Sequence, residues 1–217
     1  MDSVVFENDK FVLIINNECI VRSLINKSNG EECINTDIKL PLITVTKRGL
    51  IDKESNFNHI TFAASKLSKT GNFLIVEFDM ISIQIIIEAE IYTDYINFKI
   101  KKILQDRKKP LGFKDIYSTL EIRILQLPIS KELNADDKFK GCFKGRKTSI
   151  FMLSTSPRTV VNSECMGKLK FVYAYCYGQM DIYGCSAAIV VANTENLLSI
   201  TNKIQRDFSL SIISGGG

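Results

Sequence analysis

The chain has 217 residues, 45% of them hydrophobic and 24% charged, with a formal net charge of +4. That length can bury a substantial core as one β-domain, and the composition is that of an ordinary globular protein. No run is long and apolar enough to span a bilayer, and so mild a positive balance does not by itself select a polyanionic partner. The opening Met-Asp-Ser-Val-Val-Phe-Glu lacks the charged and apolar regions of a signal peptide. A periplasmic or secreted location is expected only if a leader was trimmed, and a cytoplasmic one otherwise.

The dominant hydrophobic period is two. Phe11–Asn16 and Cys19–Asn26 read as strands around a turn at Asn16-Asn17, and Asn29-Gly30 signals a further type I′ reversal. Ile60–Lys66 and Phe73–Met80 are separated by Lys69-Thr70-Gly71-Asn72, which has turn chemistry. From Ser82 to Tyr92, Ile83, Ile85, Ile87, Ala89 and Ile91 share one face, with Ile86 the exception to the alternation. In the next strand Ile96, Phe98 and Ile100 alternate with Tyr95, Asn97, Lys99 and Lys101. A two-residue turn at Thr93-Asp94 then sets Ala89 opposite Phe98 and Glu88 opposite Lys99, a matched pair on each face. Leu120–Leu127, Thr148–Ser154, Leu169–Tyr177 and Cys185–Ala192 follow as strands. Asn193 or Thr194 is expected to cap a helix in which Leu197, Ile200, Ile204 and Phe208 recur at helical spacing, with Lys203 and Arg206 late. Strands punctuated this regularly predict an all-β sandwich or barrel, with one helix near the C-terminus. One domain is expected over 1–214, and Gly215-Gly216-Gly217 reads as a linker or a cut between domains.

Six cysteines, Cys19, Cys33, Cys142, Cys165, Cys176 and Cys185, form no C-x-x-C pair and have a single histidine to join them, so no metal site is predicted. Buried free thiols are expected instead. His59 is the one histidine that a nucleophilic triad would use as base, and a partly buried structural role is expected for it. Gly184-Cys185-Ser186-Ala187-Ala188 loosely matches a nucleophile elbow, but the chain runs on as a strand through Ile189-Val190-Val191 where that motif needs a helix. No Walker or G-x-G-x-x-G sequence supports a nucleotide site. The acidic pairs open to glycoside hydrolysis are Glu88 with Glu90 and Asp136 with Asp137. Pairing with Lys99 accounts for the first and a solvated turn for the second. No catalytic residue and no cofactor are assigned.

Two basic clusters stand out. Lys99, Lys101, Lys102, Arg107, Lys108 and Lys109 form one, and Lys138, Lys140, Lys144, Arg146 and Lys147 the other, with Phe139 and Phe143 interleaved. Because acidic residues are spread throughout, both are read as solvated faces and no nucleic-acid partner is assigned. Tyr173, Tyr175 and Tyr177, followed by Gln179, Asp181 and Tyr183, point further. Tyrosines two apart leave a sheet on one face, and rings beside amide and carboxylate groups suit sugar stacking and hydroxyl hydrogen bonding. Packing within the sandwich is the competing role. The carbohydrate-binding candidates are Tyr175, Tyr177, Asp181 and Tyr183.

Two segments carry a family likeness. Glu18–Glu32, with a strand leading through Lys27-Ser28-Asn29-Gly30-Glu31-Glu32, resembles the first hairpin of galactose-mutarotase-like supersandwich domains and their K-x-x-G-x-E turn. Asn196-Leu197-Leu198-Ser199-Ile200 with Ile204-Gln205-Arg206-Asp207-Phe208 resembles the helix that hands over to the catalytic barrel of some bacterial glycoside hydrolases. The paired strands around Asp94-Tyr95-Ile96-Asn97-Phe98 are similar to the supersandwich core of the same enzymes. The resemblance implies a large two-sheet antiparallel supersandwich followed by a (β/α) barrel on the same polypeptide. It does not imply mutarotase activity, which uses histidines together with a Glu base. The function expected is that of an accessory domain which supports a downstream catalytic domain and contacts carbohydrate. The alternatives are a free-standing carbohydrate-binding module and a sugar-active enzyme built around His59.

Overall fold

The computed structural model describes residues 3–51, 56–105, 119–178 and 182–210. Arg107, Lys108, Lys109, Gln179, Asp181 and the closing segment 211–217, with its three glycines, lie outside the described residues. In chain order the strands begin with β1 (Ser3–Glu7), β2 (Phe11–Asn16), β3 (Val21–Asn26), β4 (Thr44–Ile51), β5 (Asn56–Ala63) and β6 (Lys66–Thr70). They continue with β7 (Phe73–Phe78), β8 (Ile83–Ile91), β9 (Tyr95–Gln105), β10 (Thr119–Pro128) and β11 (Asn134–Ala135). The last are β12 (Cys142–Lys144), β13 (Thr148–Ser154), β14 (Val160–Met166), β15 (Leu169–Tyr177) and β16 (Ser186–Asn193), before helix α1 (Leu197–Asp207).

All ladders are antiparallel and form an eight-stranded sheet (β11-β12-β13-β16-β9-β8-β7-β6), a five-stranded sheet (β14-β15-β10-β4-β5) and a three-stranded sheet (β1-β2-β3). The expected pair of sheets is thus joined by a third. Isolated bridges Ile20↔Pro41 and Ile34↔Ile129 tie it to the segments flanking β4 and β10. One buried cluster draws on all three sheets, including Phe6, Leu13 and Leu24, then Ile122 and Ala174, then Ile85, Phe98 and Ile189. The all-β sandwich follows from that alternation, because each strand buries one face and leaves the other to solvent or to a second layer.

The β8–β9 hairpin has the register read from its sequence, with Ala89 opposite Phe98 and Glu88 opposite Lys99. The ion pair does not follow that register. A bulge between Ile86 and Ile87 leaves Lys101 as an extra residue, and the Lys101 ammonium lies 3.0 Å from the Glu88 carboxylate. The Asn29-Gly30 turn also departs from expectation. A type I′ turn needs positive φ at both central residues, and only Gly30, at φ 73°, has it. The segment Ile60–Lys66 is two strands, because Ala64-Ser65 carries the chain from β5 in one sheet to β6 in another.

The Lys27–Glu32 turn is held from both of its final carboxylates. Glu32 Oε1 accepts from the backbone N–H of Leu24 at 2.9 Å and of Ile34 at 3.1 Å, and Oε2 accepts from the Ser23 hydroxyl. The buried Thr148 hydroxyl of β13 donates to Glu31 at 2.6 Å and accepts from the amides of Asn26 and Asn29, each at 2.9 Å. The hairpin is thereby tied to the eight-stranded sheet.

Eleven residues are too few to hold a helix by propensity, and α1 is held by packing. Leu197, Ile200 and Ile204 join Tyr95, Phe151 and Val190 in a second, smaller core on the outer face of the eight-stranded sheet. The Tyr95 hydroxyl donates to Asp207 at 2.7 Å, and Tyr92 stacks on Tyr95 at 4.4 Å. Neither expected cap bonds the helix through its side chain: the Asn193 side-chain amide oxygen accepts from the Ser28 hydroxyl, and the Thr194 hydroxyl meets Ser149 and Gly145. A short 3₁₀ turn over Thr194–Asn196 opens the helix instead.

All six cysteines are free, and five are buried; Cys165, on edge strand β14, is exposed, contrary to expectation. Burial pushes the Cys19 and Cys33 thiols up to about 12. Cys176, hydrogen-bonded to Cys185 across the sandwich, is raised well above the thiol range. Among the described residues no helix is long and apolar enough to cross a membrane.

Candidate functional site

Register decides which side chains meet on the outer face of the five-stranded sheet. In β15, Val172, Ala174 and Cys176 enter the core, so Phe171, Tyr173, Tyr175 and Tyr177 point the other way. β10 sets Glu121 opposite Tyr177, Arg123 opposite Tyr175 and Gln126 opposite Tyr173, and β14 adds Val160, Asn162 and Glu164 on the far side. A bulge between Arg123 and Leu125 brings Arg123 and Gln126 to the same face although they are three residues apart.

These groups form one connected network. The Arg123 guanidinium covers the Tyr173 ring at 4.1 Å, donates to Glu121 at 2.7 Å and donates to Gln126 at 3.3 Å. The Gln126 amide in turn donates to the Pro41 carbonyl at 3.0 Å. Tyr173 donates to Glu164 and accepts from Asn162. Burial, followed by its bond to Glu164, raises the Tyr173 hydroxyl above the ordinary phenol range. The Tyr175 and Tyr177 hydroxyls lie 3.3 Å apart, and that contact, with burial second, pushes Tyr175 up to about 12. Tyr173 and Tyr175 therefore present neutral hydroxyls near neutral pH. Beside them Leu40, Arg123, Glu164, Met166 and Tyr173 border a cleft of about 150 Å³.

The sequence candidates divide here. Tyr175 and Tyr177 share the face and Tyr177 is 46% exposed, whereas Tyr173 is 6% exposed and committed to Glu164. Successive rings are tilted by 38° and then 89°, so they offer single contacts and no flat platform. Tyr183 is exposed in the turn before β16, outside strand β15. Asp181 lies outside the described residues. The alternation did not flag Glu121, Arg123 and Gln126; their signal was three polar residues inside the apolar run Leu120–Leu127.

The remaining candidates are placed as follows. His59 is exposed, against the expectation of partial burial, because it lies on the outer side of edge strand β5, on the same face as the exposed Thr61. Three strand spacings, roughly 14 Å, separate β5 from the tyrosine strand. Ser186 of the loosened elbow starts a strand and is buried, its backbone N–H bonded to Thr159. Asp136 is no freely solvated turn residue: Lys144 pairs with it, and its carboxylate accepts from the backbone N–H of Lys138 and Phe139. The Lys144 bond holds the Asp136 carboxyl below its usual range. Of the two phenylalanines interleaved with the second basic cluster, Phe143 is buried and Phe139 is exposed.

No protein-family model matches the chain, and no curated protein matches it. Among solved structures it is similar to a GH31 family sulfoquinovosidase from E. rectale in complex with the aza-sugar inhibitor IFGSQ, at 11% identity and a TM-score of 0.42. The likeness covers 92% of this chain and 34% of that one, so the chain spans about a third of that protein's length.

Proposed function

We propose that this chain is a non-catalytic β-sandwich domain of a glycoside hydrolase, and that the outer face of its five-stranded sheet contacts carbohydrate through Tyr175 and Tyr177. The observation that carries this reading is the network just described. An exposed aromatic edge stands beside a guanidinium, a carboxylamide and a carboxylate, all fixed by one another before any ligand arrives. Such a face suits a sugar, whose C–H side packs on an aromatic ring while its hydroxyls meet donors and acceptors at the rim. The likeness of the Lys27–Glu32 turn and of the C-terminal helix to those of glycoside-hydrolase supersandwiches supports the parent class.

Isothermal titration of the chain against a panel of neutral and acidic oligosaccharides tests the contact. Tyr177→Ala is expected to weaken binding about two- to tenfold, the worth of one aromatic contact. Absence of binding across the panel would remove carbohydrate from the reading.

One further observation favours a protein on the same face. Val160, Met166 and Leu169 flank the tyrosines and are all solvent-exposed, an apolar rim that an adjoining catalytic domain would cover. In the full-length polypeptide Met166 would then resist oxidation by dilute peroxide and become reactive in the isolated chain. Equal reactivity in both would place the catalytic domain elsewhere.

A further inference from the structure

A second cleft, of about 240 Å³, lies on the opposite layer, where the ends of three hairpins meet the first two turns of α1. Val191, Ala192 and Ile200 are its apolar lining. Its polar wall begins with Asp94 in the β8–β9 turn, whose two oxygens face different lysines: Lys203 Nζ at 2.7 Å and Lys10 Nζ at 3.9 Å. Asp94 is the one carboxylate among the described residues that line the cleft, so the site carries one positive charge in excess. Both lysines remain 40–45% exposed, and an ammonium has three donors, so each keeps hydrogen-bonding capacity after meeting Asp94.

Asn196 and Ser199 complete the wall. With Lys203 they are spaced three and then four residues apart, and so form one stripe of the helix. Among the described residues neither the Asn196 amide nor the Ser199 hydroxyl has a partner within the protein, whereas Asn26, Ser28 and Asn193 are bonded to their neighbours. The volume corresponds to roughly eight water molecules, the size of one sugar ring.

We propose that this cleft binds a monosaccharide-sized anion bearing hydroxyl groups, with its charged oxygens between Lys10 and Lys203 and its hydroxyls against Asn196 and Ser199. A sugar carboxylate and a sugar phosphate share that chemistry. Ammonium donors strengthen a hydrogen bond to an anionic acceptor, and the amide and hydroxyl select for a polyol over a bare ion. The site is separate from the tyrosine face and does not rest on the function proposed for it.

Amide chemical shifts of the chain titrated with glucuronate, glucose 6-phosphate, glucose and acetate test the inference. Saturable shifts at Lys10, Asn196, Ser199 and Lys203 are expected with at least one of the two sugar anions, and the stronger of the two identifies the source. Glucose and acetate should each bind about tenfold more weakly or worse. Lys203→Gln and Lys10→Gln should each weaken the sugar anion about tenfold, and Tyr177→Ala should leave it unchanged. Asp94→Asn removes the resident carboxylate and should tighten binding. Lys10→Gln changes an exposed bend residue and serves as the variant whose folding is least at risk. Shifts equally strong with acetate, no saturable shift with either sugar anion, or tightening absent in a folded Asp94→Asn protein would each overturn the proposal.

Discussion

Replacing Ile204 with alanine tests whether α1 is a separate layer on the sandwich. Ile204 is fully buried, and its partners belong to a cluster of nine residues distinct from the main core. The substitution removes three carbons, worth about 2.4 kcal/mol at roughly 0.8 kcal/mol per buried methylene, and a residual cavity moves the total into a range of about 2–5 kcal/mol. A helix this short has no stability of its own, so the loss should appear as local detachment rather than as melting of the sheets. At about 1.4 kcal/mol per tenfold, the transfer part alone corresponds to roughly fiftyfold faster exchange of the helix amides. Native-state hydrogen exchange read by mass spectrometry separates Leu197–Asp207 from Ile83–Ile91 and Tyr95–Gln105. The expected result is fast exchange in α1 with β8 and β9 unaltered. Equal loss of protection in β8 and β9, or none in α1, would refute the two-core description.

Two further outcomes concern the stability of the sandwich. The Cys19 and Cys33 thiols ionise near 9.0 when the chain is unfolded and, raised by burial, near about 12 when it is folded. The unfolded state therefore releases protons first, and their stabilising effect, complete below pH 9, is lost as pH rises toward 12, at up to about 1.4 kcal/mol per pH unit and thiol. Urea titrations in reductant at pH 7.5 and pH 10 should show a smaller alkaline loss in the Cys19→Ala and Cys33→Ala variants than in the parent; an identical loss would assign the alkaline sensitivity to other groups. Thr148→Val keeps shape but leaves the Asn26 amide without its acceptor in the core. Its cost should be about 1–3 kcal/mol in urea unfolding, and a change below about 0.5 kcal/mol would mean that the hairpin does not depend on this bond.

Much of the fold is written in residue alternation. The β8–β9 register follows from a two-residue turn and two matched faces, because a slip by one residue would turn every isoleucine outward. The same alternation does not say which sheet a strand joins, so Ile60–Lys66 reads as one strand although its two ends lie in different layers. Strands β1, β4 and β14 escape notice for a related reason. β14 is an edge strand with no buried residue, half-buried at Val161, Asn162 and Ser163 and exposed at its other positions, and such a strand gives only a weak pattern. The bulge at Lys101 left a trace in the adjacent pair Lys101-Lys102, two exposed residues where strict alternation allows one. On the tyrosine strand, spacing gave the common face. The burial of Tyr173 depends on Glu164 and Arg123, which reach it from two other strands, a juxtaposition with no local signature.

The helix shows how one short sequence serves two surfaces. Asn196, Ser199 and Lys203 each precede one of the packing residues Leu197, Ile200 and Ile204, so the cleft stripe is the packing stripe moved by one residue. One residue turns about 100° around a helix of 3.6 residues per turn, which takes each polar side chain from the covered face to its margin. The depth at which Ile204 seats in the second core therefore sets how far Lys203 stands from Asp94 and how wide the cleft opens. Ile204 is not among the residues lining the cleft, so Ile204→Ala should weaken the sugar anion without removing any group that would touch it. The Asp94–Lys203 bond, which raises the Lys203 ammonium above its ordinary range, gives a readout on the protein itself. Loosened seating should move the Lys203 side-chain resonance toward that of a free lysine. A variant whose helix exchanges fast while Lys203 and anion affinity stay at parental values would separate the two surfaces, and the cleft would then owe its shape to the hairpin turns alone.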